Sequence, residues 1–247
     1  MNETEFYLLD LESRFMKINP KEYYLSYSGG KDSHFLYWFI KEWLHDTEIE
    51  IVSANTYMEH PEMVHRMLEN ADTILIPKMK PFEIKEQYGI PCFSKVQDDW
   101  IYRWQHGSRA EYLQKRIMRN GEDANWAKFS LSNKAKELLL ANKLHPISPY
   151  CCKYLKKKPF KDFEKQTGKK AILGVRGGES VLRKTQYQSC FTKDKKFTPL
   201  HDLSDQLLDS IYKEYNIPIP NIYIYIYIVL DVWDALMGHG NMKLKLN

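Results

Sequence analysis

The chain has 247 residues, 43% hydrophobic and 28% charged, with 36 Lys and Arg against 32 Asp and Glu and a formal net charge of +4. That length and balance suit one α/β domain with an ample core, and the net charge is too small to argue for nucleic acid by itself. No apolar run approaches the roughly 18 to 20 residues of a membrane span and the acidic start, Met1-Asn2-Glu3-Thr4-Glu5, does not read as a signal peptide, so we expect a cytoplasmic protein with no membrane partner.

Residues 3–18 carry Phe6, Leu8, Leu9, Leu11, Phe15 and Ile18 among charges, which predicts an amphipathic helix ending before Pro20. The apolar run Tyr23, Tyr24, Leu25, Tyr27 then gives way to Ser28-Gly29-Gly30-Lys31-Asp32-Ser33, followed by Phe35, Leu36, Phe39, Ile40 and Trp43 at helical spacing. This reads as strand, tight glycine turn and helix N-terminus. Two adjacent glycines let the backbone approach an anion, the first-turn amides have no intrahelical acceptor, and the helix dipole turns its positive end there, so phosphate is the natural ligand. The alternative is an ordinary glycine turn before a helix capped by Ser28 or Asp32. The Walker spacing is missing.

Residues 48–54 alternate like a strand, Pro61 opens a helix to about residue 70 with His60 at its start, and residues 73–76 form another strand. Strands alternating with helices predict an α/β fold, a Rossmann-like open parallel sheet flanked by helices. Residues 98–145 are aromatic, basic and helical in pattern, broken at Asn120-Gly121, with Ser130 and Ser132 placed to cap a helix through Leu140. We read them as a helical insertion in a domain spanning 1–228. Residues 171–175 return to a buried strand, Arg176-Gly177-Gly178-Glu179 leads into a helix, and Ser204 caps a last helix to Tyr215. Of the cysteines, the adjacent Cys151 and Cys152 point to metal or cluster ligation, whereas Cys92 and Cys190 read as buried free thiols.

The hexapeptide 28–33 resembles the PP-loop of the N-type ATP pyrophosphatases and the phosphoadenosine phosphosulfate reductase family. Tyr150-Cys151-Cys152-Lys153, with Lys157 and Pro159, is similar to the Cys-Cys motif of that family's iron–sulfur members. Gly174-Val175-Arg176-Gly177-Gly178-Glu179-Ser180 with Arg183 is similar to its Gly-x-Arg…Glu-Ser…Arg segment, and Pro199-Leu200-His201-Asp202 with Ser204-Asp205 to its Pro-Leu-x-Asp-x-Ser/Thr-Asp segment. These motifs stand in the family's order across most of residues 23–220.

The resemblance implies an adenine nucleotide, ATP or a sulfonucleotide, held by Ser28, Gly29, Gly30, Lys31, Asp32 and Ser33. It implies Lys31, Asp32, Arg176, Glu179 and Arg183 as catalytic residues, and Cys151 and Cys152 as metal ligands. By residue type, Lys31 supplies a point charge, the two arginine forks suit phosphate or sulfate oxygens, and Asp32 either positions a magnesium-bound oxygen or caps the helix. Glu179 either orients the arginines or makes an ordinary i,i+4 pair with Arg183.

A four-iron cluster needs four thiolates, and the iron–sulfur members supply the second pair from a later Cys-x-x-Cys that this chain lacks. Residues 222–228, Ile-Tyr-Ile-Tyr-Ile-Tyr-Ile, are what an alternating A/T tract encodes, and such tracts slip during copying. With suitable synonymous codons, the frame entered at the third nucleotide of the Val229 codon reads Thr-Gly-Cys-Val-Gly-Cys-Pro-Tyr. We therefore expect residues 229–247 to be a frameshifted tail, with a 4Fe-4S cluster in the unshifted form and none in this chain. The other reading is a native strand, tyrosines on one face and isoleucines on the opposite one.

Three functions stay open. One is an enzyme of sulfur metabolism acting on a sulfonucleotide or using ATP, although a Glu-Cys-Gly-Leu-His-type segment of the reductases is missing. The second cleaves ATP between the α and β phosphates to adenylate an acceptor, as in thiolation of nucleic acid. The third is a non-catalytic nucleotide-binding module or an inactive frameshifted product. Within 98–145, Trp100, Tyr102, Arg103, Trp104, Arg109, Tyr112, Lys115, Arg116 and Arg119 interleave rings and cations, which serves either a nucleic-acid or protein partner or the packing of a helix on its domain.

Overall fold

The structure, a computed structural model, describes residues 2–118, 131–179 and 181–221, and the side chains of Glu179, Val181 and Leu182 fall outside that description. The expectations for Arg119, Asn120-Gly121, Ser130, Ser180, the Ile-Tyr tract and residues 229–247 therefore lie outside the described residues. The chain divides into two compact units. The first comprises Met1–Ser53, Glu59–Ile74 and the chain from Phe163 onward, and the second comprises Ala54–Met58 and Leu75–Asp162.

Among the described residues the first unit is built on four strands, β1 (Tyr23–Ser26), β2 (Glu50–Ala54), β3 (Thr73–Leu75) and β4 (Lys170–Leu173), in the order β3-β2-β1-β4, with only the end residues Ala54 and Leu75 counted to the second unit. β1 is central and pairs in parallel with both neighbours, Leu25 standing opposite Ile51 on one side and Ile172 on the other. Because side chains alternate along a strand, those three share one face of the sheet and Tyr24 points to the opposite one. Leu25, Ile51 and Ile172 pack into a core with Leu8 and Leu11 of α1 (Glu3–Phe15) and with Phe35 and Leu36 of α2 (Lys31–Trp38). Burying each such side chain contributes about 1.5–3 kcal/mol. Tyr24, on the other face, meets the Phe163 ring edge-on at 5.1 Å, and its hydroxyl donates to Glu164 Oε1 at 3.1 Å. Helices thus cover both faces, which is the expected α/β arrangement with a parallel sheet.

Boundaries follow local chemistry. Asn2 caps α1, its side chain accepting from Glu5 N, and the helix ends ahead of Pro20 as expected. α2 runs on into a π-turn over Phe39–Trp43, so the apolar stripe read at helical spacing from Phe35 to Trp43 changes its winding after Trp38. α3 (Pro61–Asn70) starts with proline in the first turn and the His60 ring accepting from Glu62 N. Ser204 accepts from Leu207 N at 3.1 Å and starts the last described helix, Asp205–Glu214, which buries Leu208, Ile211 and Tyr212. Arg14, near the end of α1, makes two bonds to the Asp202 carboxylate, at 2.7 and 2.6 Å, and a third to the Pro199 carbonyl at 2.6 Å. The first helix is thereby bolted to the turn that feeds the last.

The described residues of the second unit include the helices α4 (Pro81–Tyr88), α5 (Lys95–Gln105), α6 (Glu111–Met118) and α7 (Asn133–Leu140), the last capped by Ser132. Trp100, Ile101, Leu113, Ile117, Leu131, Ala135, Leu139 and Ile147 form its core. The segment expected at 98–145 belongs to this larger unit and its first helix starts at Lys95. Gly89, at φ +96°, lies so close to Pro146 that a Cβ would sit 2.1 Å from that carbonyl oxygen, so only glycine fits. No described helix is long and apolar enough to cross a membrane.

Candidate functional site

The end of β1 sets the loop. Tyr27 N donates to Val52 O at 2.9 Å, and Ser53 Oγ donates to Tyr27 O at 2.8 Å, carrying strand contacts up to the turn. Gly29 turns the chain at φ +75°, a conformation that disfavours other residues, and a Cβ there would lie 3.3 Å from Met63 Sδ on α3. Gly30 is the N-cap of α2 and makes no side-chain cap bond. His34 N donates the first intrahelical bond, to Gly30 O at 2.9 Å, so the amides upstream of it point out of the helix end.

Within the loop, Ser33 Oγ donates to Gly30 O at 3.0 Å, accepts from Ser28 N at 3.2 Å and lies 3.0 Å from Ser28 Oγ. The two hydroxyls are therefore fixed beside each other at the positive end of the helix dipole.

Arg176, on the turn after β4, is brought to this loop. Its Nε donates to Asp32 Oδ1 at 2.7 Å, and its Nη1 to Asp205 Oδ1 at 2.5 Å. Gly174 makes the approach feasible, since a Cβ there would sit 3.0 Å from the Asp32 carbonyl carbon and oxygen and from Ser33 N. Asp32 therefore anchors an arginine, a use that neither the magnesium nor the capping expectation foresees. The Lys31 ammonium pairs with Asp209 and lies 5.5 Å from the centroid of the Tyr212 ring, and the Tyr212 hydroxyl donates to the Lys31 carbonyl at 2.6 Å.

Beneath the loop, His34 is buried. Asn70 Nδ2 donates to Tyr27 Oη at 3.2 Å, which leaves the Tyr27 hydroxyl hydrogen for His34 Nδ1 at 3.0 Å, and we assign the imidazole proton to Nε2 on that ground. Burial, with the nearby Arg66 charge, lowers the His34 pKa from 6.5 to about 4. Arg66 itself runs beside Gly29, donates from Nη2 to Pro218 O at 3.2 Å, and has a buried Nη1 with no hydrogen-bond partner among the described residues.

Of the residues expected at the site, Ser28, Gly29, Gly30, Lys31, Asp32, Ser33 and Arg176 come together. Arg183 is half-buried on the short helix Val181–Gln186, its carbonyl accepting from Tyr187 N. The Glu179 side chain lies outside the described residues. Asp205, Asp209, Tyr212 and Arg66 were missed as site residues. Asp205 and Asp209 are spaced i,i+4 on a capped helix, which is a legible signal of a shared face, but their partners lie in distant stretches of chain.

Cys151 and Cys152 start a helical turn in the second unit and are half-buried, and burial raises the Cys151 pKa above that of an ordinary thiol. Cys92 also belongs to that unit and is exposed, which corrects the buried-thiol expectation: its backbone N–H is tied to the buried Asp98 at 3.3 Å while the side chain faces outward. Cys190, half-buried, is in the first unit. Among the described residues, no group of three or more His, Cys, Asp or Glu is disposed to hold a metal ion. The described cysteines do not fit a four-iron cluster.

In the second unit, Arg109 lies over the Trp104 ring at 4.1 Å, Arg116 over Trp100 at 5.3 Å, and Arg103 bonds Tyr112 Oη at 3.0 Å. Several of the interleaved rings and cations are thus engaged with one another.

No family model matches the chain, and no curated protein matches it. Among solved structures it is similar to one titled as the crystal structure of phosphoadenylyl-sulfate (PAPS) reductase from Candida auris, phosphate complex. The identity is 11% over 91% of this chain and 93% of that one, with a TM-score of 0.45.

Proposed function

We propose that the loop at residues 28–33 binds the phosphate chain of an adenine nucleotide, and that the protein is an enzyme of sulfur metabolism acting on a sulfonucleotide or on ATP. The observation that carries this reading is the convergence of two largely buried cations, Lys31 at 19% and Arg176 at 8% side-chain exposure, on a two-glycine turn at a helix N-terminus. Amides at that turn, the Ser28 hydroxyl, the two cations and the Ser33 hydroxyl once it turns from Gly30 O together offer donors for two adjacent tetrahedral anions. They would stabilise charge that develops on a departing group.

Two chemistries use such a cradle. In the first, the anions are the phosphate and sulfate of a sulfonucleotide, whose reduction to sulfite takes two electrons from a dithiol. In the second, they are the β and γ phosphates of ATP, leaving as pyrophosphate when an acceptor is adenylated.

Turnover separates them. Incubation with phosphoadenosine phosphosulfate and a dithiol should release sulfite, or incubation with ATP should release pyrophosphate, and Arg176→Met should abolish whichever is observed. Binding of nucleotide without either product would mark a non-catalytic module. Failure to bind either nucleotide would overturn the proposal.

A further inference from the structure

The two cations at the loop are paired in a way that bears on ligand exchange. Each is enclosed, and each is met by a carboxylate from one face of the last described helix, Asp205–Glu214. Asp205 bonds Arg176 and Asp209, one turn on, pairs with Lys31. The carboxylates are the exposed partners, Asp209 at 58% and Asp205 at 73%, against 19% for Lys31 and 8% for Arg176. Arg176 has a second, more enclosed partner in Asp32, at 19% exposure.

We infer that Asp209 is a resident counter-anion of the loop, which holds Lys31 in the ligand-free protein and is displaced from it when a phosphate group binds. The inference rests on the phosphate-site reading above. The exchange is local, because the helix that carries Asp209 is fixed. Leu208, Ile211 and Tyr212 are buried, and the Tyr212 hydroxyl bonds the Lys31 carbonyl. Near the C-terminal end of that helix, Glu214 accepts from Asn2 Nδ2 at 2.7 Å and from Thr4 Oγ1 at 2.6 Å.

Side-chain rotation of Lys31 and Asp209 is therefore sufficient, with the Tyr212 ring face keeping the ammonium near the loop as the carboxylate leaves. An incoming dianion replaces one counter-ion by a stronger one instead of meeting a bare ammonium. When it departs, Asp209 reclaims Lys31. The carboxylate lowers affinity for the bound anion and favours its release.

A double-mutant cycle on the full chain tests this, with inorganic pyrophosphate as the probe in isothermal titration calorimetry. Asp209→Asn keeps the side-chain size and should tighten pyrophosphate binding about three- to fivefold, the range expected when a half-exposed ion pair no longer competes. In a Lys31→Met background, the same substitution should change affinity by less than about 1.5-fold, because nothing is left to compete for. Asp209→Ser is a second variant that should tighten binding alike, and thermal melting of each variant reports that it is folded. Unchanged or weaker binding in both Asp209 variants overturns the inference, as does an equal gain in the Lys31→Met background, which would mark only a general field. Absence of pyrophosphate binding in the wild type and in Asp209→Asn alike would instead overturn the phosphate-site reading, and the inference with it.

Discussion

Replacing Lys31 and Ser33 together with alanine should weaken binding of ATP and of pyrophosphate by about a hundredfold. Each substitution removes a hydrogen bond to a charged oxygen, worth about 1.5–3 kcal/mol, and the lower end applies because Lys31 must first leave Asp209 and the Ser33 hydroxyl must first turn from Gly30 O. The Ser33 change also frees the loop, since Ser33 Oγ ties Ser28 N to Gly30 O. Calorimetric titration checks the affinity, and a melting curve shows that the double variant remains folded. The Lys31→Ala protein alone should fall between wild type and the double variant. Wild-type affinity in the folded double variant would remove the loop from the binding site.

Acid should begin to destabilise the protein as pH falls below 6.5. His34 is a base whose pKa falls from 6.5 to about 4 on folding, because burial and the Arg66 charge both oppose the imidazolium. Its contribution is complete above pH 6.5 and is lost as pH falls toward 4, where the unfolded chain takes up a proton that the folded chain refuses. A difference of that size is about 3 kcal/mol.

The groups facing His34 are Tyr27 and Tyr37, whose hydroxyls burial pushes further from ionisation, and the Arg66 guanidinium. Glu50 and Asp202 have lowered pKa values, through Lys169 and Arg14 opposing their burial, and they add acid sensitivity only below about pH 4.5. Urea unfolding at pH 6.5 and pH 4.5 should therefore show the loss in wild type, while His34→Gln, even if less stable overall, should be nearly flat across the interval. A wild type that is flat there would refute the assignment.

Much of this molecule was legible in the chain because the deciding signals are local. The glycine turn, Pro61, Ser132 and Ser204 each fix a helix start through a φ angle, a missing N–H or a hydroxyl acceptor, and all act within four residues. β1 read as a strand from its aromatic run, and its burial on both faces explains why Tyr24 and Leu25 are adjacent apolar residues in place of an alternation. Arg176 was implied at the site by the resemblance, and its place after a strand, at the ligand-binding edge of an open sheet, agrees with that.

What escaped depends on long-range pairing. Nothing within ten residues of Asp202 announces Arg14, and nothing near Lys31 announces Asp209 and Tyr212, since those contacts exist only after the last helix docks on α1 and α2. The bond of Asp32 to Arg176 is equally distant in the chain and has no local signal. The π-turn after Trp38 was equally hidden, because apolar residues at helical spacing do not reveal a change of winding.

Backbone amide spectroscopy tests the central claim most directly. With ¹⁵N-labelled protein titrated with ATP and, separately, with pyrophosphate, the largest shifts should fall on the amides of Gly29, Gly30, Lys31, Asp32 and Ser33 and on the Arg176 side-chain Nε–H. Smaller changes should follow at Asp209 and Tyr212 as Lys31 changes partner. Saturable binding that leaves residues 28–33 unmoved would contradict the account, because the ligand would then be held elsewhere.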